Sequence, residues 1–378
     1  MPSRQRPEAL LMIASSEADA NLYYRTRFRA PDPFVFMEIR GKSYALLSDL
    51  EIDRARSTSD IDYPVSVSDY VRKFEAQYGR KPARLDLVVH FAKKKGVRAF
   101  SVPGNFPLEY ADLLRKKGFR ITVKPEPVFR DRPVKTRREI AAITANLRAV
   151  EHAAHLAVSL LKKSVIRRGK LFYGGALLTS ESLRRMIALD LMTRDCFGRH
   201  MIVSCGRETA DPHHEGHGPL YAHQPIIMDI FPQSTGNLYF ADFTRTVVRG
   251  KASPKLKKMY AAVKEGQNIA FRSIRDGADG SKIYQAVKTH LADRGFPTGV
   301  LDGRRQGFFH GLGHGLGLEI HEAPGLSIRP ETLKKGNVVT VEPGLYYADA
   351  GGVRLEDVVV VTKTGCINLT RFEKRLEL

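Results

Sequence analysis

The 378-residue chain has no tryptophan and only three cysteines. Cys196, Cys205 and Cys366 are too few and too scattered for a disulfide framework, or for a thiolate zinc site with its paired short spacings. A reducing compartment, and hence the cytoplasm, is the simplest expectation. The lack of tryptophan removes its fluorescence as a binding readout and says nothing about function. Long hydrophobic runs are missing too: no stretch approaches the roughly 20 apolar residues of a membrane span. After the basic start of MPSRQRPEALLMIASSEAD, the apolar run Ala9 to Ala14 is too short for the core of a signal peptide. A soluble protein without a membrane partner is expected. A hydrophobic content of 43% excludes a fibrous or wholly disordered chain, and the length can be read as two domains.

Acidic residues are in deficit, 41 against 61 Lys and Arg, which leaves a formal charge of +20. Such a balance raises the question of a nucleic-acid or acidic-surface partner. A binding footprint would concentrate in a patch, whereas both parts of this chain are basic. The densest runs, Lys93 to Lys95 and Arg115 to Lys117, fall where polar helix ends are expected. A solvated face is therefore preferred to a nucleic-acid site.

The first third alternates strands and helices. Phe34–Ile39 and Ser43–Ser48 flank the turn Arg40-Gly41-Lys42 as a hairpin, and Val67–Tyr78 and Leu85–Lys94 have helical apolar spacing. Val97–Val102 and Ile121–Val123 are β-rich and enclose a helix, Leu108–Lys117, closed by Gly118. This pattern predicts a small α/β domain with a largely parallel core over 1–130. Pro125, Pro127 and Pro133 mark a linker, after which Thr136 and Glu139 have the form of a capping box opening a long helix. A second domain is expected over 131–378. Its further helices are Glu181–Thr193, Pro254–Arg272 and Ser281–Arg294, and its β runs are Pro225–Phe231, Leu238–Val248, Asn337–Tyr347 and Val353–Val361.

Half of the twelve histidines lie in two windows, 213–217 and 310–321. In FFHGLGHGLGLEIHE, glycines at 311, 313, 315 and 317 each cost a helix about 1 kcal/mol relative to alanine, so His310 and His314 are not the paired face of a zincin helix. An extended segment suits them, with both histidines on one side and room for a backbone or ligand to come close. Four carboxylates stand in apolar β-like surroundings: Asp229 in PIIMDIF, Asp242 in YFADFTRTVV, Glu342 in VVTVEPGLYY and Glu356 in GVRLEDVVVV. A desolvated acid needs a partner, and for any one of them alone an ordinary salt bridge is the simpler account. Four acids and His314 together balance two divalent cations near neutrality. Such a thiolate-free set suits Mn²⁺ first, with Co²⁺, Zn²⁺ or Fe²⁺ as alternatives. A pair of such ions about 3.5–4 Å apart supports hydrolysis by activating water and polarising a carbonyl.

These residues resemble, in order, the Asp, Asp, His, Glu, Glu series of the pita-bread metallopeptidases, the family of Xaa-Pro aminopeptidase, prolidase and methionine aminopeptidase. The match spans the second domain: Asp229, Asp242 within DFTRT, His314 within GHGLGL, Glu342 within VEPGLY and Glu356 within RLED. The first domain, with ANLYYRTRF at 20–28, resembles less specifically the creatinase-type N-terminal domain of the Xaa-Pro enzymes. The resemblance implies an α/β N-terminal domain followed by an α+β pita-bread domain, and a peptide substrate. It also implies roles. Asp229 would hold one metal, His314 and Glu342 the other, with Asp242 and Glu356 bridging both. Glu342 would also take a proton from the attacking water. His321 would contact the scissile carbonyl, His213 would lie on the leaving-group side, and His310 would line the pocket for the residue after the bond. Family relatives often form dimers or tetramers, so a homodimer is one expectation of the resemblance.

In ADPHHEGHGP, His214 is the runner-up to His213, and His217 could simply bind adventitious metal. Arg354 either orients Glu356, contacts substrate or makes a structural salt bridge, and Arg329 does not match firmly as a carboxylate clamp. Two departures stand out: Ile230, Phe231 and Pro232 follow Asp229 where the family has a residue and then glycine, and the Asp229–Asp242 interval is about two residues longer. An even insertion leaves both carboxylates on one face, so the metal site should survive while Phe231 alters the pocket wall. The function expected is a dinuclear metal-dependent exopeptidase cutting before proline near a peptide N-terminus. The alternatives are a prolidase confined to dipeptides and a non-catalytic pita-bread module that binds protein or nucleic acid.

Overall fold

A computed structural model describes residues 8–378, apart from the side chain of Arg84. The basic residues Arg4 and Arg6 of the N-terminal reading lie outside the described residues. The chain divides into two compact units, Met1–Arg132 and Pro133–Leu378.

In the first unit, β1 (Glu8–Ala14), α1 (Ala20–Thr26), β2 (Phe34–Ile39), β3 (Lys42–Leu47), α2 (Ile52–Thr58) and β4 (Tyr63–Ser66) lead to α3 (Val67–Tyr78). There follow α4 (Arg84–Lys94), β5 (Ala99–Val102), α5 (Leu108–Lys116) and β6 (Arg120–Val123). The six strands form one sheet in the order β4-β3-β2-β1-β5-β6. It is mixed rather than largely parallel, because β2 runs antiparallel to both β1 and β3 while the pairs at either end are parallel. The apolar run Ala9 to Ala14 is the heart of β1, buried on both faces between two clusters, with Leu11 on one and Met12 on the other. The helix stops are local: Ser66 caps α3 by accepting Asp69 N, and Gly79 closes it at φ 66°, a conformation that favours glycine.

The second unit opens with α6 (Arg137–Lys163), capped reciprocally by Thr136 and Glu139. Next come β7 (Val165–Arg167), β8 (Lys170–Tyr173) and β9 (Ala176–Leu177), then α7 (Ser180–Met192), β10 (Cys196–Phe197) and β11 (Ile202–Cys205). β12 (Ile226–Asp229), β13 (Gln233–Ser234) and β14 (Thr244–Val247) precede the helices α8 (Pro254–Ser273) and α9 (Gly280–Asp293). The last third is β15 (Gly299–Leu301), β16 (Arg304–Gln306), β17 (Gly313–Gly315), β18 (Glu322–Leu326), β19 (Val338–Val341), β20 (Gly344–Tyr347), β21 (Gly351–Arg354), β22 (Asp357–Val361) and β23 (Cys366–Asn368). The sheet β11-β12-β14 and the sheet β18-β17-β19-β22-β23 are linked by a bridge between Thr244 and Glu356.

Strand alternation decides which face carries chemistry. Val339, Val341, Val353, Leu355 and Val359 join Met259, Val263, Val287 and Leu291 of α8 and α9 in one buried cluster. Burying each such side chain contributes about 1.5–3 kcal/mol. Thr340, Glu342, Arg354 and Glu356 alternate with them and so point to the opposite face. The expected run Asn337–Tyr347 breaks at Glu342-Pro343 into β19 and β20, which belong to different sheets. Of the expected Leu238–Val248 run, only Thr244–Val247 is regular strand.

Candidate metal centre

Across the sheet, Ile202 pairs with Asp229, Asp229 with Thr244, and Thr244 bridges Glu356. Directly paired residues share a face, so these four form one row. Asp242 lies two residues before Thr244 and joins the same face. The glycine-rich segment passes above: a Cβ on Gly313 would meet Thr340 O at 2.0 Å, and one on Gly315 would meet Glu322 O at 2.4 Å. Only glycine allows that approach, which lets His314 N donate to Thr340 Oγ1 at 3.1 Å.

A cavity of about 720 Å³ is lined by Asp229, Asp242, His314, Glu342 and Glu356, and also by His213, His310, His321 and Arg354. Donor atoms of Asp242, His314 and Glu356 lie within 4.8 Å of one another. His314 Nε2 is 3.6 Å from Asp242 Oδ2 and 3.4 Å from Glu342 Oε1. His314 Nδ1 is 3.1 Å from Gly315 O, which can only accept, so Nδ1 carries the proton. Burial and the neighbouring His321 push the imidazole down to about 4, leaving it neutral with a bare Nε2 lone pair facing carboxylates.

The acids are strained electrostatically in the same sense. Burial pushes Glu342 up to about 8, with Asp242 and Asp229 adding to the rise. Burial and Glu356 raise Asp242 well above the carboxylate range, and burial and Glu342 do the same to Glu356. Asp229 Oδ2 accepts from Arg354 Nη2 at 2.6 Å, while its Oδ1 is buried without a hydrogen-bond partner. Clustered acids, an unpartnered carboxylate oxygen and a lone pair aimed into them are a donor set that divalent cations fit.

The other histidines are placed differently. His310 Nδ1 donates to Gly311 O at 2.7 Å, so Nε2 accepts from the Tyr346 hydroxyl at 3.0 Å, and Arg354 Nη1 in turn donates to that hydroxyl at 2.9 Å. Burial and Arg354 push His310 down to about 3. His321 packs edge-on to His314 with ring centroids 4.3 Å apart. His213 lines the cavity, whereas His214 Nδ1 accepts from Gly216 N and lies 3.9 Å from Glu208. His217 N donates to Glu208, and Arg329 is exposed and outside the cavity lining. Arg354 pairs with Asp229, not with Glu356 two residues on.

Sequence reasoning missed Thr244, whose Oγ1 donates to Glu356 Oε2 at 2.7 Å, and Tyr346. A signal existed for Thr244, two residues from Asp242 and hence on its face. Tyr346 carried none, because its partner Arg354 comes from the opposing strand of a hairpin.

A two-unit chain whose larger unit gathers four buried or partly buried carboxylates and a neutral imidazole around one cavity has the construction of a pita-bread metallopeptidase. The model of metallopeptidase family M24 matches residues 143–363, more than half of the chain, and the chain belongs to that family. It is 27% identical over 360 residues to an Xaa-Pro dipeptidase of Pyrococcus horikoshii, covering 94% of this chain and 92% of that one. It is 36% identical over 178 residues to the peptidase YqhT of Bacillus subtilis, an alignment spanning 47% of this chain and only 48% of that protein. The crystal structure of an X-Pro aminopeptidase from Thermotoga maritima superposes with a TM-score of 0.82 at 21% identity, covering 98% of each chain, and so shares the fold. No helix among the described residues is long and apolar enough to cross a membrane.

Proposed function

We propose that this metallopeptidase is an exopeptidase that hydrolyses the bond before proline near a peptide N-terminus, using two divalent cations, Mn²⁺ first among them. The observation that carries the proposal is the bare His314 Nε2 directed at Asp242 and Glu342 inside a buried group of acids. Asp229 would hold one ion, His314 and Glu342 the other, and Asp242 and Glu356 both. When bound, the ions offset the buried negative charge, activate water and polarise the scissile carbonyl.

The chain's own side chains do the rest. Glu342, on the cavity wall with Oε1 3.4 Å from His314 Nε2, would receive the proton of the attacking water on a carboxylate oxygen. His321, at the cavity wall beside His314, contacts the carbonyl oxygen as it becomes tetrahedral. His213 lies on the side of the departing amine, and His310, held by Tyr346, walls the space for the residue after the bond. All three cysteines are free, as a reducing cytoplasm would leave them. A second reading, a dipeptidase, draws on the Pyrococcus horikoshii relative, which is similar over most of its length.

The test is release of the N-terminal residue from Xaa-Pro-Yaa peptides by chelated protein restored with Mn²⁺, beside Xaa-Pro dipeptides, a Met-Ala-Ser peptide and Asp242→Ala. Mn²⁺-dependent cleavage lost in the variant upholds the proposal, and cleavage of dipeptides alone moves it to the second reading. No turnover with any divalent metal, together with salt-sensitive nucleic-acid binding by the metal-free protein, would replace it with a binding module.

A further inference from the structure

Phe231 occupies a position that strand register fixes. Pairing of Asp229 with Thr244 continues beyond the end of β12: Ile230 N donates to Phe243 O at 2.9 Å, Ala241 N donates to Pro232 O at 3.0 Å, and Gln233 bridges Phe240. This sets Phe231 opposite Asp242 and on the face of Asp229, while Ile230 between them is fully buried on the other face. In the other direction along β12, Ile227 packs with Ile202, Tyr346 and Phe309. Two residues of strand span about 7 Å, so the Asp229 row has a different wall on each flank. One is the hydrogen-bonded His310–Tyr346–Arg354 chain. The other is Phe231, half-buried, lining the cavity together with Ile320 and paired with no other aromatic ring among the described residues.

We propose that Phe231 forms the wall of the subsite for the side chain immediately before the scissile bond and gives the enzyme a preference for a large apolar residue there. The inference rests on the proposed function, in which the His310 wall receives the residue after the bond. A phenyl ring that lines the cavity offers apolar area to a Leu or Phe side chain and nothing to a glycine. A charged side chain laid on it would lose water without gaining a partner.

The experiment measures, with the Mn²⁺-loaded protein, the ratio of kcat/KM for Leu-Pro and Phe-Pro peptides to that for the Gly-Pro peptide, in the native chain, Phe231→Ala and Phe231→Leu. Equilibrium binding of analogues with a methylene in place of the scissile carbonyl is measured beside it by calorimetry. The Leu/Gly and Phe/Gly ratios should fall about tenfold or more in Phe231→Ala and be largely retained in Phe231→Leu. Ratios that rise in Phe231→Ala would mean that the ring blocks the subsite, and unchanged ratios would mean that it does not touch that side chain. Either result overturns the inference. If no peptide is cleaved, the proposed function fails on its own account and analogue binding decides the subsite: a Leu-over-Gly preference lost in Phe231→Ala upholds it, and no such preference overturns it.

Discussion

Thr244 and Glu356 face each other across the bridge that links the sheet β11-β12-β14 to the sheet β18-β17-β19-β22-β23, and the threonine Oγ1 lies 2.7 Å from Glu356 Oε2. The hydroxyl fixes the rotation of a carboxylate that stands within ligand distance of Asp242 and His314. Thr244→Val keeps the shape and removes the bond. Outer contacts of this kind are worth about 10–100-fold in metal affinity, and a loss of that size is expected. Competition against a chelator of known affinity measures it, and an unchanged affinity would show that Glu356 needs no such support.

The crowded acids make opposite predictions for the metal-free and metal-loaded protein. Without cations, Asp242, Glu342 and Glu356 repel one another in a buried place, so Asp242→Asn should raise the melting temperature of chelated protein. With saturating Mn²⁺ the native chain should gain about 5–10 °C, as a ligand present at 100 times its Kd contributes, and the variant should gain little. Thermal melts with and without chelator decide the matter. A variant that melts lower than the native chain in both states would mean that Asp242 is held by ordinary hydrogen bonds.

Arg245 is the largest fully buried side chain among the described residues and ties the C-terminal segment to the strands beside Asp242 and Glu356. Its guanidinium donates to Glu356 O at 2.7 Å, Asp357 Oδ1 at 2.7 Å, Phe372 O at 2.9 Å and Glu373 O at 3.2 Å. Arg245→Met strips those acceptors of their donor and leaves Asp357 to Lys374 and Asn368, both on its Oδ2. A loss of about 3–5 kcal/mol is expected in urea unfolding, as for removal of one partner of a buried ion pair. A loss near zero would mean that the C-terminal segment is held by Phe372 and its apolar contacts.

Legibility in the sequence followed the range of the forces involved. Helix α6 was readable because its signals, Thr136, Glu139 and the apolar spacing, are local, and the carboxylates were readable because an acid in a valine-rich run is costly wherever the run goes. The hairpin departure was also readable: the even insertion keeps Asp229 and Asp242 on one face, as the continued pairing to Gln233 and Phe240 bears out. Strand direction in the first unit was not, because β2 is antiparallel for the sake of its neighbours in the sheet. Nor was the Arg354–Asp229 pair, whose partners are 125 residues apart and meet only through register. The break at Pro343 escaped notice because the apolar pattern runs through it while the pairing partners change.

Glu181 links the first turn of α7 to the histidine-rich loop. Its Oε1 accepts from Gly218 N at 3.0 Å, and that bond together with its own backbone N–H holds the carboxyl down at about 2. A carboxyl depressed on folding stabilises fully above its unfolded value of about 4.5, and the contribution is lost as pH falls from there through about 2. The difference in urea midpoint between the native chain and Glu181→Gln should therefore be constant above pH 5 and shrink below pH 4. A difference that does not change with pH would show that folding leaves the Glu181 carboxyl where it is in the unfolded chain, so that the bond to Gly218 N does not favour its ionised form.

Tyr346 joins two groups that could not otherwise meet. Burial pushes its hydroxyl up to about 12, so it keeps its proton and donates to His310 Nε2 while accepting from Arg354 Nη1. His310, neutral and with Nδ1 spent on Gly311 O, has both ring nitrogens engaged, so under the proposed function it would meet a substrate with its ring. In Tyr346→Phe the ring volume remains, but His310 Nε2 loses its donor and Arg354 keeps only Asp229, Pro212 O and the longer Thr244 contact. A hydrogen bond involving a charged group contributes about 1.5–3 kcal/mol, so kcat/KM for a proline-containing peptide should fall about 10- to 100-fold. If the wall only positions His310, the loss should appear mainly in KM and be smaller for a peptide with alanine after the bond. A loss confined to kcat and equal for both peptides would move Tyr346 from the pocket wall to the reacting carbonyl.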